Sequence, residues 1–82
     1  MTIYVDDAAI PARGRFWYHI MSDRDDNELH AFALRIGLAR EWFHVDHYDV
    51  SAGKRLHAVR MGAKAITAAE MATIRRAKRG NR

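Results

Sequence analysis

Asp25-Asp26-Asn27-Glu28-Leu29-His30-Ala31-Phe32-Ala33-Leu34-Arg35-Ile36-Gly37 is the stretch on which the fold turns. Leu29, Phe32, Ala33 and Ile36 fall at i, i+3, i+4 and i+7, so residues 26–36 predict a helix with one buried face. Asp25 followed by Glu28 has the capping-box pattern, in which the first side chain accepts from free backbone N–H groups and the second reaches back. Gly37 supplies the left-handed residue that ends the helix. The grammar recurs twice. Ser51 opens a helix with Leu56 and Val59 inward, closed by Gly62. Thr67 with Glu70 opens a last helix carrying Met71 and Ile74, closed near Gly80.

Outward from these helices lie short strands. Residues 16–21 set Phe16, Tyr18 and Ile20 against Trp17, His19 and Met21, and residues 2–6 set Ile3 and Val5 against Tyr4 and Asp6. Shorter strands are expected at residues 47–50 and 63–66. Residues 7–15, with Pro11 and Gly14, read as a loop. Residues 41–46 read as irregular chain after one helical turn from Ala39. The order β-β-α-β-α-β-α predicts an α/β fold: a small three- to four-stranded mixed or parallel sheet with about three helices. It forms one domain over residues 1–80, with a basic tail over 78–82.

Composition narrows the class. A chain of 82 residues buries only about 60% of the surface its unfolded form exposes, so one small core must suffice. With 49% hydrophobic residues and one Pro, the chain is not disordered. Its mean hydropathy is −0.39, and it holds no apolar run near the roughly 18–20 residues a membrane span needs. The acidic start, Met-Thr-Ile-Tyr-Val-Asp-Asp, reads into a strand rather than a signal peptide. Zero cysteines exclude disulfides, Cys-ligated zinc and thiol nucleophiles, and predict a cytoplasmic location. Charge is split: residues 1–50 hold five Lys/Arg against nine Asp/Glu, and residues 51–82 hold nine against one.

In open α/β sheets ligands gather beyond the carboxyl ends of the strands. On the expected strand map that edge collects Asp6 and Asp7, Ser22 and Asp23, then Asp49 and Ser51. Carboxylates from separate strand ends suit a hard cation such as Mg²⁺, and Asp6, Asp23 and Asp49 are the candidate ligands. The same Asp and Ser residues are also ordinary helix caps and turn residues. Histidine is the second signal. His19 lies within the aromatic strand, and His44 and His47 fall in His-Val-Asp-His-Tyr-Asp. Imidazole beside carboxylate serves either as an acid–base group near neutral pH or as a metal ligand steered by Asp. No His-Glu-x-x-His or cysteine-based zinc signature is present, and His44 also reads as a plain surface residue. Asp6, His19, Asp23, His47 and Asp49 are therefore the candidate catalytic residues. Ser22, His44, Tyr48, Ser51, Lys54 and Arg55 are candidate ligand contacts, with Trp42 and Tyr48 flanking the histidine-rich loop. The helix start at Ser51, with Lys54 and Arg55, reads either as an anion cradle or as a capped helix with two solvated cations. There is no Gly-x-Ser-x-Gly elbow and no P-loop.

The basic half admits three readings: a nucleic-acid patch, a partner surface, or cations that complement a helix dipole in a solvated tail. No aromatic is interleaved with those cations, which weakens a single-strand stacking platform there.

Several motifs together carry a family resemblance. Ile3-Tyr4-Val5-Asp6, Pro11 and Gly14, Trp17-x-His19-x-x-Ser22-Asp23, Glu28-Leu29-His30-Ala31-Phe32-Ala33, Gly37 and His47-Tyr48-Asp49-Val50 resemble a family of small bacterial and phage proteins known as a domain of unknown function. The resemblance runs to about Thr67 and implies a freestanding cytoplasmic, phage-linked domain, with no activity to carry over. It places the family pattern on the polar motif positions rather than on the C-terminal cations.

Two functions are expected. The first is a His/Asp site that binds, and hydrolyses with metal assistance, a phosphate-bearing ligand such as a nucleotide or nucleic acid. Catalysis at that site requires Asp6, Asp23 and His47 to converge on an open cleft. The alternative is a non-enzymatic accessory protein that docks nucleic acid or a host protein through its basic C-terminal half.

Overall fold

β3 (Arg15–Ser22) organises the molecule, because its alternating aromatic and aliphatic side chains let it pair along both edges. In the computed structural model, which describes residues 2–80, β3 is joined by β1 (Ile3–Val5), β2 (Ile10–Ala12), β4 (Tyr48–Val50) and β5 (Lys64–Ala65). The helices are α1 (Asp26–Arg35), α2 (Ala52–Arg60) and α3 (Ala68–Gly80), with a 3-10 turn at Arg40–Trp42. The sheet is mixed. β1 and β4 flank β3 on opposite edges, both antiparallel to it, and β5 adds to β1 in parallel.

One strand lies where a loop is expected. Arg13 and Gly14 both take positive φ, the requirement of the two-residue hairpin turn whose twist matches the strands, so residues 10–12 fold back as β2. Pro11 is tolerated because it pairs with Phe16, one step from the turn, where no ladder N–H is needed. Between Val5↔Ile20 and Ile10↔Trp17 the first arm advances five residues against three in β3, so residues 6–9 bulge outward. That bulge turns Asp6 back onto His19.

The three helices form where their caps predict, with one difference in detail. Thr67 and Glu70 make the reciprocal box, Thr67 N donating to Glu70 Oε1 at 3.0 Å and Glu70 N to Thr67 Oγ1 at 3.1 Å. At α1, Asp25 accepts from Asn27 N at 2.9 Å, but Glu28 does not reach back. The Asp25 N–H is already donated to Ser22 Oγ at 3.0 Å. Gly37, at φ +83°, lets Leu38 N reach Ala33 O and Gly37 N reach Leu34 O, which closes α1.

The core gathers Val5, Ile20, Tyr48 and Val50 from the sheet with Leu29, Phe32, Ala33 and Ile36 from the α1 segment. α2 contributes Ala58 rather than Leu56 and Val59, and Leu56 is 52% exposed. The stripe that α2 turns inward runs through Lys54, Arg55 and Ala58 because Lys54 Nζ bonds the carbonyl of Ile36, the residue that caps α1, and Arg55 Nε bonds the Asp6 carbonyl. α3 places Met71 in the core and extends through Gly80, so Lys78 and Arg79 are helical rather than tail residues. Asn81 and Arg82, the end of the expected tail, lie outside the described residues.

Candidate metal centre

The antiparallel course of β3 sorts the candidate residues. Asp6 follows β1 and Asp49 lies on β4, but β3 runs the other way, so its carboxyl end lies at the opposite edge. Asp23 is therefore remote from the others and accepts from Thr2 N at 3.0 Å, while Ser22 Oγ accepts from Arg24 N and Asp25 N. The expected convergence of Asp6, Asp23 and His47 does not form, and neither does the Asp6, Asp23 and Asp49 ligand set. Tyr48 is also out of reach: it is buried beneath β4, with its hydroxyl 2.8 Å from His30 Nδ1. His44 is exposed, its ring 5.8 Å from that of His47. Ser51 caps α2, accepting from Lys54 N at 3.3 Å.

What the sheet does bring together is His19, His47 and Asp49. His19 and Asp49 are cross-strand partners on β3 and β4, and His47 precedes β4. Each imidazole is held by its own buried carboxylate. His19 Nδ1 lies 2.7 Å from Asp6 Oδ2, and His47 Nδ1 lies 2.8 Å from Asp46 Oδ1. Asp6 is fixed in turn: its Oδ1 accepts from His19 N at 2.9 Å and Ala8 N at 3.3 Å. Asp46 Oδ2 accepts from Arg75 Nε of α3 at 3.1 Å. Asp46 was marked only by its place beside His47, and Arg75 carries no sequence signal, because only the packing of α3 delivers it.

The protonation states follow from these bonds. Burial, the largest single influence on Asp6, pushes its pKa up, but the hydrogen bonds from His19 and Ala8 together outweigh it and hold the pKa below the ordinary value. Asp46 is also lowered: burial again opposes, and the bonds from His47 and Arg75 prevail. His19 is raised, chiefly by its bond to Asp6. Ionised carboxylates only accept, so Nδ1–H of each histidine donates to its Asp and Nε2 faces outward, a lone pair in the neutral ring and an N–H in the imidazolium. Both Nε2 atoms meet the same group, with Asp49 Oδ1 3.3 Å from His47 Nε2 and 3.8 Å from His19 Nε2.

With both rings neutral three acceptors converge, and a proton or a cation between them removes the repulsion. The three donor atoms lie within 4.8 Å of one another. Ligands at about 2.0–2.1 Å from a tetrahedral ion stand about 3.3 Å apart, so small side-chain rotations close the set. Two imidazoles and one carboxylate favour a transition ion such as Zn²⁺, Mn²⁺ or Fe²⁺ over the Mg²⁺ expected from an all-carboxylate cluster. Asp49 is 51% exposed, which leaves coordination positions open to solvent.

A cleft of about 530 Å³ shares Asp49 with the site, though neither His19 nor His47 lines it. Arg13, Arg15, Trp17, Trp42, Ser51 and Lys54 line it. Arg55 instead lies over the Tyr18 ring, its Nε bonded to the Asp6 carbonyl at 2.7 Å.

The fold and site define a small mixed-sheet α/β domain whose paired Asp–His dyads converge on one exposed carboxylate. Residues 3–78 match the family described as a protein of unknown function, DUF4031, and the chain belongs to that family. The match passes Thr67 and takes in α3 as far as Lys78, so Arg75 lies inside the family domain. No curated protein and no solved structure matches the chain.

Proposed function

We propose that the protein is a metal-dependent hydrolase of phosphate esters at a site other than the expected one: Asp6, Asp23 and His47 do not converge, and His19, His47 and Asp49 are the metal ligands instead. The observation that carries this reading is that two histidines, each locked by a buried carboxylate on Nδ1, aim Nε2 at one exposed Asp. Carboxylate–histidine pairs of this kind orient imidazoles and raise their basicity toward a metal. Three protein ligands are the number that catalytic rather than structural ions have, and they would leave the remaining positions to solvent or substrate. An ion held by His19, His47 and Asp49 would supply a water of lowered pKa as the nucleophile toward phosphorus and positive charge for the phosphate oxygens, while Asp6 and Asp46 keep the two imidazoles oriented.

The accessory reading draws less support. Arg75 bonds Asp46, and Lys78 is buried with bonds to Ser22 O and Asp26, so those cations hold α3 in place. Among the described residues no helix is long and apolar enough to cross a membrane.

Chelator-treated protein titrated with Zn²⁺ and Mn²⁺ by calorimetry is expected to bind one ion per chain. Loaded protein should then hydrolyse bis(p-nitrophenyl) phosphate. Asp49→Ala and His47→Ala should lose the ion and the activity. Absence of stoichiometric binding, or binding unaffected by both variants, rejects the metal centre; binding without phosphodiester or phosphomonoester turnover rejects the hydrolase.

A further inference from the structure

The cleft beside the metal centre has a composition of its own. Its lining carries three cations, Arg13, Arg15 and Lys54, against one carboxylate, Asp49, and it includes both tryptophans of the chain. Asp49 would repel a phosphate entering such a cleft unless a cation stood between them, so anion-attracting walls fit a metal-bridged phosphate beside Asp49. The aromatic walls answer to something else. Trp17 is held in place: its Nε1 donates to Ala12 O at 2.9 Å, and the Arg13 guanidinium lies 5.0 Å from its ring centroid. Trp42 differs. It is 56% exposed, at the end of the 3-10 turn, and it has no ring or cation partner among the described residues. An open indole face in a cationic cleft of small-molecule size calls for a planar, π-rich group joined to a phosphate.

We propose that this cleft recognises the base of a nucleotide whose phosphate reaches the metal, so the substrate class is base-bearing phosphates rather than alkyl or sugar phosphates. The proposal rests on the metal-centre reading for the position of the phosphate, but the base site is built from residues that ligate nothing. Trp42 stacks on the base, and Arg15, which has no ion pair among the described residues, neutralises the phosphate with Lys54. Lys54 keeps one donor on Ile36 O and has two more to offer. The same chemistry is presented by a free mononucleotide and by the terminal nucleotide of a single strand.

The test is calorimetry with AMP, ribose 5-phosphate and a short single-stranded oligonucleotide, each run on metal-loaded and chelator-treated protein. AMP is expected to bind at least about tenfold more tightly than ribose 5-phosphate, the scale of one base–aromatic stack. Trp42→Ala should remove that preference while the Mn²⁺ stoichiometry stays at the wild-type value, and Arg15→Gln should weaken both phosphates together. If the metal centre is wrong but the base site is right, the chelator-treated protein still prefers AMP to ribose 5-phosphate. If the base site is wrong, the two bind equally to loaded protein, or Trp42→Ala leaves the preference unchanged, and the proposal falls. Tighter binding of the oligonucleotide than of AMP assigns the site to strand ends; equal or weaker binding assigns it to free nucleotides. Both support base recognition.

Discussion

At the scale of single residues, Asp6 and Asp46 are the groups whose replacement speaks most directly to the site. Neither is placed to touch an ion, yet each fixes the tautomer of its histidine, and a neutral amide in its place leaves Nδ1–H with a poorer acceptor. Asp46→Asn is expected to weaken metal binding by about 10–100-fold without unfolding the protein, as read by competition against a chromophoric chelator. His30 offers a test away from the ligands. Its pKa is lowered, first by burial and then by the Arg40 charge, and its Nδ1 shares a 2.8 Å hydrogen bond with the Tyr48 hydroxyl. A histidine lowered on folding binds fewer protons folded than unfolded. Its contribution is therefore complete above the unfolded value near 6.5 and is lost as pH falls toward the folded value. His19 is raised and has the opposite sign, being complete below that value and lost above it. Urea midpoints of wild type and His30→Phe across pH 5–8 separate the two. The advantage of wild type over the variant should shrink on acidification, and a constant gap would show that His30 does not titrate in this window.

At the scale of elements, the helices were legible because their signals are local: Asp25 and Gly37 bound α1, Ser51 and Gly62 bound α2, and Thr67 with Glu70 starts α3. β2 was not legible, because Pro11 argues against a strand unless its partner register is known. The direction of β3 was not legible either, and that one unknown moved Asp23 and Ser22 from the expected site to the far edge. Leu56 and Val59 misled for a related reason. The inward face of α2 is set by polar reach, Lys54 to Ile36 and Arg55 to Asp6, and hydrophobic periodicity is blind to it. α3 illustrates the same limit, since Lys78 read as a tail cation and proves 6% exposed, donating to Ser22 O at 2.9 Å and Asp26 Oδ1 at 2.6 Å. Removing that ammonium strands a buried carbonyl, so Lys78→Ala should cost about 1–3 kcal/mol in chemical denaturation. Lys78→Met refills the volume without the bonds, and it should recover only part of the loss.

At the scale of the whole molecule, the charge split acquires a meaning that counting did not provide. The acidic half supplies both dyads and Asp49, while the basic half supplies Arg75 to lock Asp46 and Lys54 to line the cleft. The site is thus a junction: β3 gives His19, the bulge after β1 gives Asp6, the segment into β4 gives His47 and Asp49, and α3 braces Asp46. An ion bound there ties together segments far apart in sequence, and the unfolded chain has no such site. At a free concentration a hundredfold above the dissociation constant the stabilisation is about 2.7 kcal/mol. A domain of this size shifts its midpoint by roughly 4–8 °C per kcal/mol, so saturating Zn²⁺ or Mn²⁺ should raise the thermal midpoint by on the order of 10 °C. EDTA should reverse the shift, and Asp49→Ala should abolish it while leaving the metal-free midpoint nearly unchanged, because Asp49 is exposed and buries no core surface. An equal rise in the variant would place the ion elsewhere on the chain. No rise in wild type would mean that His19, His47 and Asp49 share a proton rather than a metal.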